Sequence, residues 1–169
     1  VVSLFWFVGI TNAMNLLDNM DGLAAGVVAI AATFLGVVFV LDGLAPFALV
    51  AFTLAGASLG FLRHNTPPAR IYLGDSGSLF LGVFLAGFAL APAPGLSRGL
   101  FGVIAIPLLI LAVPILDTTL VTAGRIAEGR PIAMGGRDHA SHRLVALGLP
   151  ERQAVRVLWL FATAGGALG

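Results

Sequence analysis

The chain has 169 residues, of which 59% are hydrophobic and 10% charged, and its formal net charge is +1. With a mean hydropathy of +1.03, it has too few charges to build a polar surface, so the bilayer must be the solvent for most of it. The weak net charge argues against nucleic-acid binding, and the absence of Cys excludes disulfides and thiolate metal sites. All nine cationic side chains are Arg.

Apolar runs of spanning or near-spanning length alternate with short polar segments. They cover residues 1–14, 23–41, 46–62, 77–91 and 100–120, and a sixth begins near Gln153. A span needs about 20 residues, and in lipid each must satisfy its own backbone hydrogen bonds. The expected fold is therefore an all-α, polytopic transmembrane bundle of about six helices. Period-two alternation, the mark of a barrel, is absent. Both ends lie in apolar runs. The expectation is a single integral-membrane domain over 1–169 that is part of a longer one, truncated within helices.

Arginine sets the orientation. Arg63, Arg70, Arg125, Arg130, Arg137, Arg143, Arg152 and Arg156 fall on one side of the alternation, and Arg98 on the other. Positive charge stays cytoplasmic, so segments 15–22, 63–76 and 121–153 are expected inside, with 42–46 and 92–99 outside. Seven of the eight carboxylates and all three His gather on the inner side. Chemistry, if present, belongs at that face. A transporter would instead set ionisable groups near the midplane.

The first polar cluster is Asn12, Asn15, Asp18, Asn19, Asp21 and Gly22. Steps of three put Asn12, Asn15 and Asp18 within about 120° of one helix face. Asp21 would drift off that face, so the helix should end near Asn19 with Gly22 in the turn. Carboxylates and amides are the oxygen ligands and hydrogen-bond partners that Mg²⁺ and a nucleotide use. The second cluster runs from Asn65 to Ser78. Pro67-Pro68 forbids a regular helix. Gly74 and Gly77 bracket Asp75 in a predicted tight turn before the next helix, whose N-terminus favours anions. An N-cap role for Asp75 is the plainer alternative.

The third cluster holds Arg125, Glu128, Arg130 and then Arg137-Asp138-His139-Ala140-Ser141-His142-Arg143. Asp138 can cap a short helix carrying His139, His142 and Arg143 on one face. Imidazole and guanidinium groups bind phosphate oxygens, although a solvated basic loop would look the same. Asp117 follows Pro114 in the fifth run. An intramembrane carboxylate suggests function, but pairing with Arg125 or protonation would also account for it. Pro107 and Pro114 should kink that helix.

Taken together, these blocks resemble the polyprenyl-phosphate N-acetylhexosamine-1-phosphate transferases. Asn12…Asn15…Asp18…Asp21-Gly22 resembles the family's Asp-x-x-Asp-Gly block, with Asn19 where many members have Gly. Tyr72-Leu-Gly-Asp75-Ser-Gly-Ser78 is similar to its aromatic-x-Gly-Asp-[Ser/Thr]-Gly-Ser motif. Pro114-Ile-Leu-Asp117, Gly129-Arg130-Pro131 and His139 to Leu147 resemble the N-acetylglucosamine branch. The family's His-x-His-His reads His139-Ala-Ser141-His142 here. Its upstream Asp-Asp pair and N-terminal Lys are absent, so the piece alone is expected to be inactive.

The resemblance implies transfer of a sugar 1-phosphate, N-acetylglucosamine 1-phosphate by branch, from a UDP-sugar to a polyprenyl phosphate. UMP would leave, and a cell-envelope glycopolymer such as lipopolysaccharide or wall polymer would be initiated. It implies Mg²⁺ or Mn²⁺ as cofactor, with Asp75 and Asp18 as metal ligands and Asp18, Asp21, Asp75, His139 and His142 as catalytic residues. Asn12, Asn15, Asn65 and Arg143 would bind substrate, Asn65 near the uracil. Runs 23–41 and 77–91 would line a groove for the prenyl chain. The expected setting is the bacterial inner membrane, with a cytoplasmic site and homodimerisation left open. A phospho-N-acetylmuramoyl-pentapeptide transferase is the alternative within the family, a membrane transporter the alternative outside it.

Overall fold

A computed structural model describes residues 1–91, 100–131 and 136–169, with nothing to be said of the side chains of 100–103. The described residues form eight helices and no strands: α1 (Val2–Leu17), α2 (Leu23–Leu41), α3 (Ala45–Asn65), α4 (Gly74–Ala89), α5 (Leu100–Ile110), α6 (Ala112–Ala127), α7 (Ala140–Ala146) and α8 (Glu151–Leu168). By length and apolarity, α2 and α3 can each cross a membrane, as can α5 and α6 if that bent pair is one span. At 16 residues each, α1 and α4 are shorter. The expected outer position of Arg98 and the loop 92–99 lies outside the described residues.

The count of eight exceeds the expected six for two reasons. The fifth apolar run is broken: segments 104–110 and 112–127 meet at 80°. The break falls at Leu111, between Pro107 and Pro114. Pro114 has no N–H to donate to the carbonyl of Ile110, so the ladder is interrupted there. The helix after it continues to Ala127, past the predicted end near 120. The second reason is that the polar segment 121–150 contains the short α7.

The core is centred on α2, which is buried through most of its length; α3 is buried on one side only. Ala24, Ala25, Gly26, Ala29, Ala31, Ala32 and Gly36 make α2 thin, which lets neighbouring helices approach closely in lipid. A Cβ at Gly26 would overlap the Trp159 ring of α8, and one at Gly36 would lie 2.8 Å from the Phe52 ring of α3. The second main contact joins α1 to α4. There Gly82 sits against the α1 backbone, and a Cβ on it would lie 2.8 Å from Thr11 Cα. The indole of Trp6 donates to the Ala86 carbonyl at 3.1 Å along the same seam.

Candidate functional site

The polar segments expected on one side converge at one end of the bundle. The first is the turn 18–22. Helix α1 ends at Leu17, close to the expected position, and Asn19 Nδ2 donates to the Leu16 carbonyl at 2.7 Å, satisfying one open carbonyl of the last turn. Gly22 then takes φ +78°, a left-handed conformation that L side chains rarely adopt. This reversal points Asp18 and Asp21 towards the segment that follows α3.

That segment begins where Pro67 forces it to. Thr66 is extended, at φ −65° and ψ 145°, as a residue preceding Pro prefers. Buried Asn65 ties the two segments together: its Oδ1 accepts the Gly22 N–H at 3.0 Å and its Nδ2 donates to the Ile71 carbonyl at 2.9 Å. A second tie runs from the Ala69 N–H to Asp21 Oδ2 at 2.8 Å.

The predicted tight turn around Asp75 is instead the first turn of α4. The helix starts at Gly74, with φ +64°, so Asp75 is a helical residue and Leu73 the N-cap position. Of the two bracketing glycines, Gly74 is left-handed and opens the helix, while Gly77 lies within it. Asn15 on α1 reaches across and donates to Asp75 Oδ1 at 3.0 Å and to Ser78 Oγ at 2.9 Å. Asp18 lies beside the Gly74 N–H, which favours its charged form. Two carboxylates thus sit at the N-terminal end of α4, where the helix dipole favours negative charge.

Their crowding has an electrostatic consequence. Partial burial raises the Asp18 pKa above its ordinary value of 3.8; the Gly74 N–H opposes this, and the charges of Asp75 and Asp21 add to it. The three acids therefore share one locality. Among the described residues no three His, Asp or Glu side chains form a ready metal cage. Mg²⁺ commonly uses one or two carboxylates together with phosphate oxygens and water. Asp18 and Asp75, hard oxygen donors that repel each other, fit that sparser kind of site. Beside them is a cleft of about 240 Å³, lined in part by Asp18, Asn19, Asp21, Asn65 and Tyr72. Asn12 is exposed on α1, one turn before Asn15.

The third segment joins through buried contacts. His139 Nδ1 lies 2.7 Å from Asp117 Oδ2, and the Ala140 N–H donates to Asp117 Oδ1 at 2.7 Å. Asp117 therefore pairs with His139, not with Arg125, and it supplies the N-terminal acceptor of α7 that Asp138 was expected to provide. Asp138 is held elsewhere: its Oδ2 accepts Arg125 Nε at 3.0 Å, and Arg130 reaches both of its oxygens at 3.3 Å. These hydrogen bonds, Arg130's first, keep the Asp138 pKa below the usual carboxylate range. Arg143 Nε donates to the Asp138 carbonyl at 2.8 Å. His142 is half-buried; burial first, then neighbouring His139 and Arg137, lower its pKa and favour the neutral ring. Ser141 Oγ donates to Asn19 Oδ1 at 2.6 Å, which joins the His segment to the Asp18 turn. The Asp117 contact was foreshadowed only by an acid placed in an apolar run.

The sequence profile of glycosyl transferase family 4 matches residues 1–93. The chain belongs to glycosyl transferase family 4. It is 40% identical over 161 residues to a protein of Bacillus subtilis named as a probable undecaprenyl-phosphate N-acetylglucosaminyl 1-phosphate transferase, covering 94% of this chain and 44% of the relative. It is 36% identical over 178 residues to the decaprenyl-phosphate N-acetylglucosaminephosphotransferase of Mycobacterium tuberculosis, covering 95% and 44%. A phospho-N-acetylmuramoyl-pentapeptide-transferase of Clostridium perfringens is 37% identical over 155 residues, covering 92% and 46%. The chain thus spans less than half the length of these family 4 relatives. The first two relatives are named as transferases of N-acetylglucosamine phosphate acting on undecaprenyl or decaprenyl phosphate.

Proposed function

We propose that the chain forms one wall of an active site that transfers N-acetylglucosamine 1-phosphate from a UDP-sugar to a polyprenyl phosphate, at the cytoplasmic face of a bacterial inner membrane. The observation that carries this reading is the placing of Asp18 and Asp75 at the α4 N-terminus, with Asp21 close enough to act on Asp18 and Asn15 fastening Asp75. The cleft beside them, about 240 Å³, is smaller than the roughly 300–1,000 Å³ usual for a ligand site. A nucleotide sugar would need further walls.

In the proposed reaction an oxygen of the lipid phosphate attacks the β-phosphorus of the UDP-sugar. The bond from that phosphorus to the bridging oxygen breaks, and UMP leaves with the electron pair. The nucleophile is already anionic, so catalysis consists mainly of alignment and charge stabilisation. Asp75 and Asp18 would hold Mg²⁺, or Mn²⁺ in its place. When bound, the ion neutralises diphosphate charge and polarises the phosphorus–oxygen bonds. Asn15 fixes the rotamer of Asp75. Asp21, through Ala69, and Asn65, through Gly22 and Ile71, hold the 66–73 segment against the Asp18 turn. His139, with Nδ1 occupied by Asp117, has Nε2 left for a phosphate or sugar oxygen. His142, favoured neutral, and Arg143 would stand beside it.

The test uses the full-length protein in membranes with UDP-N-acetylglucosamine and undecaprenyl phosphate. UMP release that stops in EDTA and returns with Mg²⁺ is the expected result. Undiminished release in EDTA would remove the metal from the account. The similarity to a muramoyl-pentapeptide transferase favours one second reading, a change of donor. UMP release from UDP-N-acetylmuramoyl-pentapeptide alone would establish it. Protein-dependent solute flux without UMP release would point to transport instead.

A further inference from the structure

Helices α3 and α8 both pack on α2 but scarcely touch each other. They leave a groove with α2 as its floor. Its deep part has a volume of about 270 Å³ and an almost wholly apolar lining, including Ala29, Phe34, Leu59 and Leu62. Towards the end where the polar segments gather, the groove opens into a vestibule of about 350 Å³ bounded by Thr66, Pro67, Arg152 and Arg156. Trp159 borders both. On α8, Arg152, Arg156, Trp159 and Thr163 follow one another at helical spacing, which makes a single stripe that changes from cationic to aromatic to apolar.

Both arginines are exposed. The neighbouring acid, Glu151, acts electrostatically on His142. Vestibule and groove share no lining residue with the carboxylate cleft. Two guanidinium groups suit the oxygens of a phosphate. An amphipathic ring beneath them suits the headgroup level of a bilayer, and a dry slot below suits a hydrocarbon chain. Basic pockets between membrane helices characteristically take anionic lipid heads.

We propose that this groove binds an anionic phospholipid, with its phosphate between Arg152 and Arg156 and an acyl chain between α3 and α8. The groove involves neither the carboxylates nor the His segment, and the proposal rests on the transferase reading only where it sets the acceptor apart. The occupant is a bilayer lipid and not the polyprenyl phosphate acceptor, whose phosphate would have to reach the acids at the α4 N-terminus.

Native mass spectrometry of the full-length protein in detergent tests it, with phosphatidylglycerol and phosphatidylcholine as probes and no UDP-sugar present. Phosphatidylglycerol should be retained and phosphatidylcholine not. A basic residue near an anionic surface contributes roughly a fivefold affinity gain. The R152A/R156A double variant should therefore bind about 25-fold more weakly, with an unchanged melting temperature. Thr33 also lines the slot, and Thr33→Phe, which narrows it without touching the arginines, should weaken phosphatidylglycerol binding too. Equal retention of both lipids, unchanged binding in the double variant, or no binding at all would overturn the proposal. Displacement of phosphatidylglycerol by one equivalent of undecaprenyl phosphate would overturn it too, by making the groove the acceptor's.

Discussion

Ser141 Oγ and Asn19 Oδ1 lie 2.6 Å apart, and these are the two positions at which the chain departs from the motifs it resembles. Asn19 stands where Gly is common and Ser141 where His is. A small hydroxyl at 141 leaves room for an amide at 19, and the amide gives the buried hydroxyl an acceptor. The contact predicts that the two departures compensate each other. Asn19→Gly should leave Ser141, which is 1% exposed, without that acceptor, and Ser141→His should crowd Asn19. Each single change should cost about 1–3 kcal/mol. The double change should cost less than the sum by at least about 0.5 kcal/mol. Thermal unfolding of the four proteins measures the coupling, and additivity would refute compensation.

Asp117 holds both His139 and the first N–H of α7. Asp117→Ala removes both acceptors and should destabilise the protein by roughly 1–3 kcal/mol per orphaned donor. Asp117→Asn keeps an acceptor for Ala140 but no longer offers a carboxylate to the ring, which alters its tautomer preference. UMP release should fall about 10–100-fold in Asp117→Asn, mainly in kcat, with far less loss of stability than in Asp117→Ala. An unchanged kcat would separate His139 from the reaction.

Asp75→Asn should abolish transfer in the full-length protein while membrane insertion and expression stay normal. Asn15→Ala should have a smaller effect in the same direction, because the carboxylate survives but loses its hydrogen bond at 3.0 Å. Near-normal turnover in Asp75→Asn would remove it as a metal ligand.

Asp18 makes a pH prediction whose sign differs from that of a salt-bridged acid. Its pKa is raised in the folded protein, so the ionised form is disfavoured there. Its contribution becomes unfavourable as pH rises from the ordinary 3.8 through the folded value. Without metal, Asp18→Asn should therefore raise the melting temperature at pH 7 and leave it nearly unchanged at pH 3. A proton competes with the cation for the same oxygens, so Mg²⁺ affinity should start to fall on acidification above the usual carboxylate range. Magnesium titrations at stepped pH measure this, and a midpoint at or below 3.8 would contradict it.

What the sequence disclosed follows the range of the forces involved. Apolar runs and Arg placement are long patterns, and they delimited α2 and brought segments 15–22, 63–76 and 121–153 to one end. The end of α1 and the turn at Gly22 were legible because Asp21 cannot share a helix face with Asn12, Asn15 and Asp18. The break at Leu111 was anticipated from Pro114, though its 80° angle was not. Side-chain pairing was the hidden part. Asp117 could equally have met Arg125, eight residues ahead, and only the fold brings His139 to it from 22 residues away. The cap on α7 was misassigned for the same reason: Asp138 is adjacent in sequence, but two arginines claim it.

The seam between α1 and α4 makes an apolar residue answerable for a polar one. Gly82 rests directly on the Thr11 backbone, one turn beyond Ser78, and Asn15 lies one turn beyond Thr11. Any side chain at 82 acts as a shim between two rods: it prises them apart at mid-height and lifts the amide of Asn15 off the acid it steadies. A methyl group inserted deep among lipid-facing helices would thus be felt as slack at the water's edge, where the charges are.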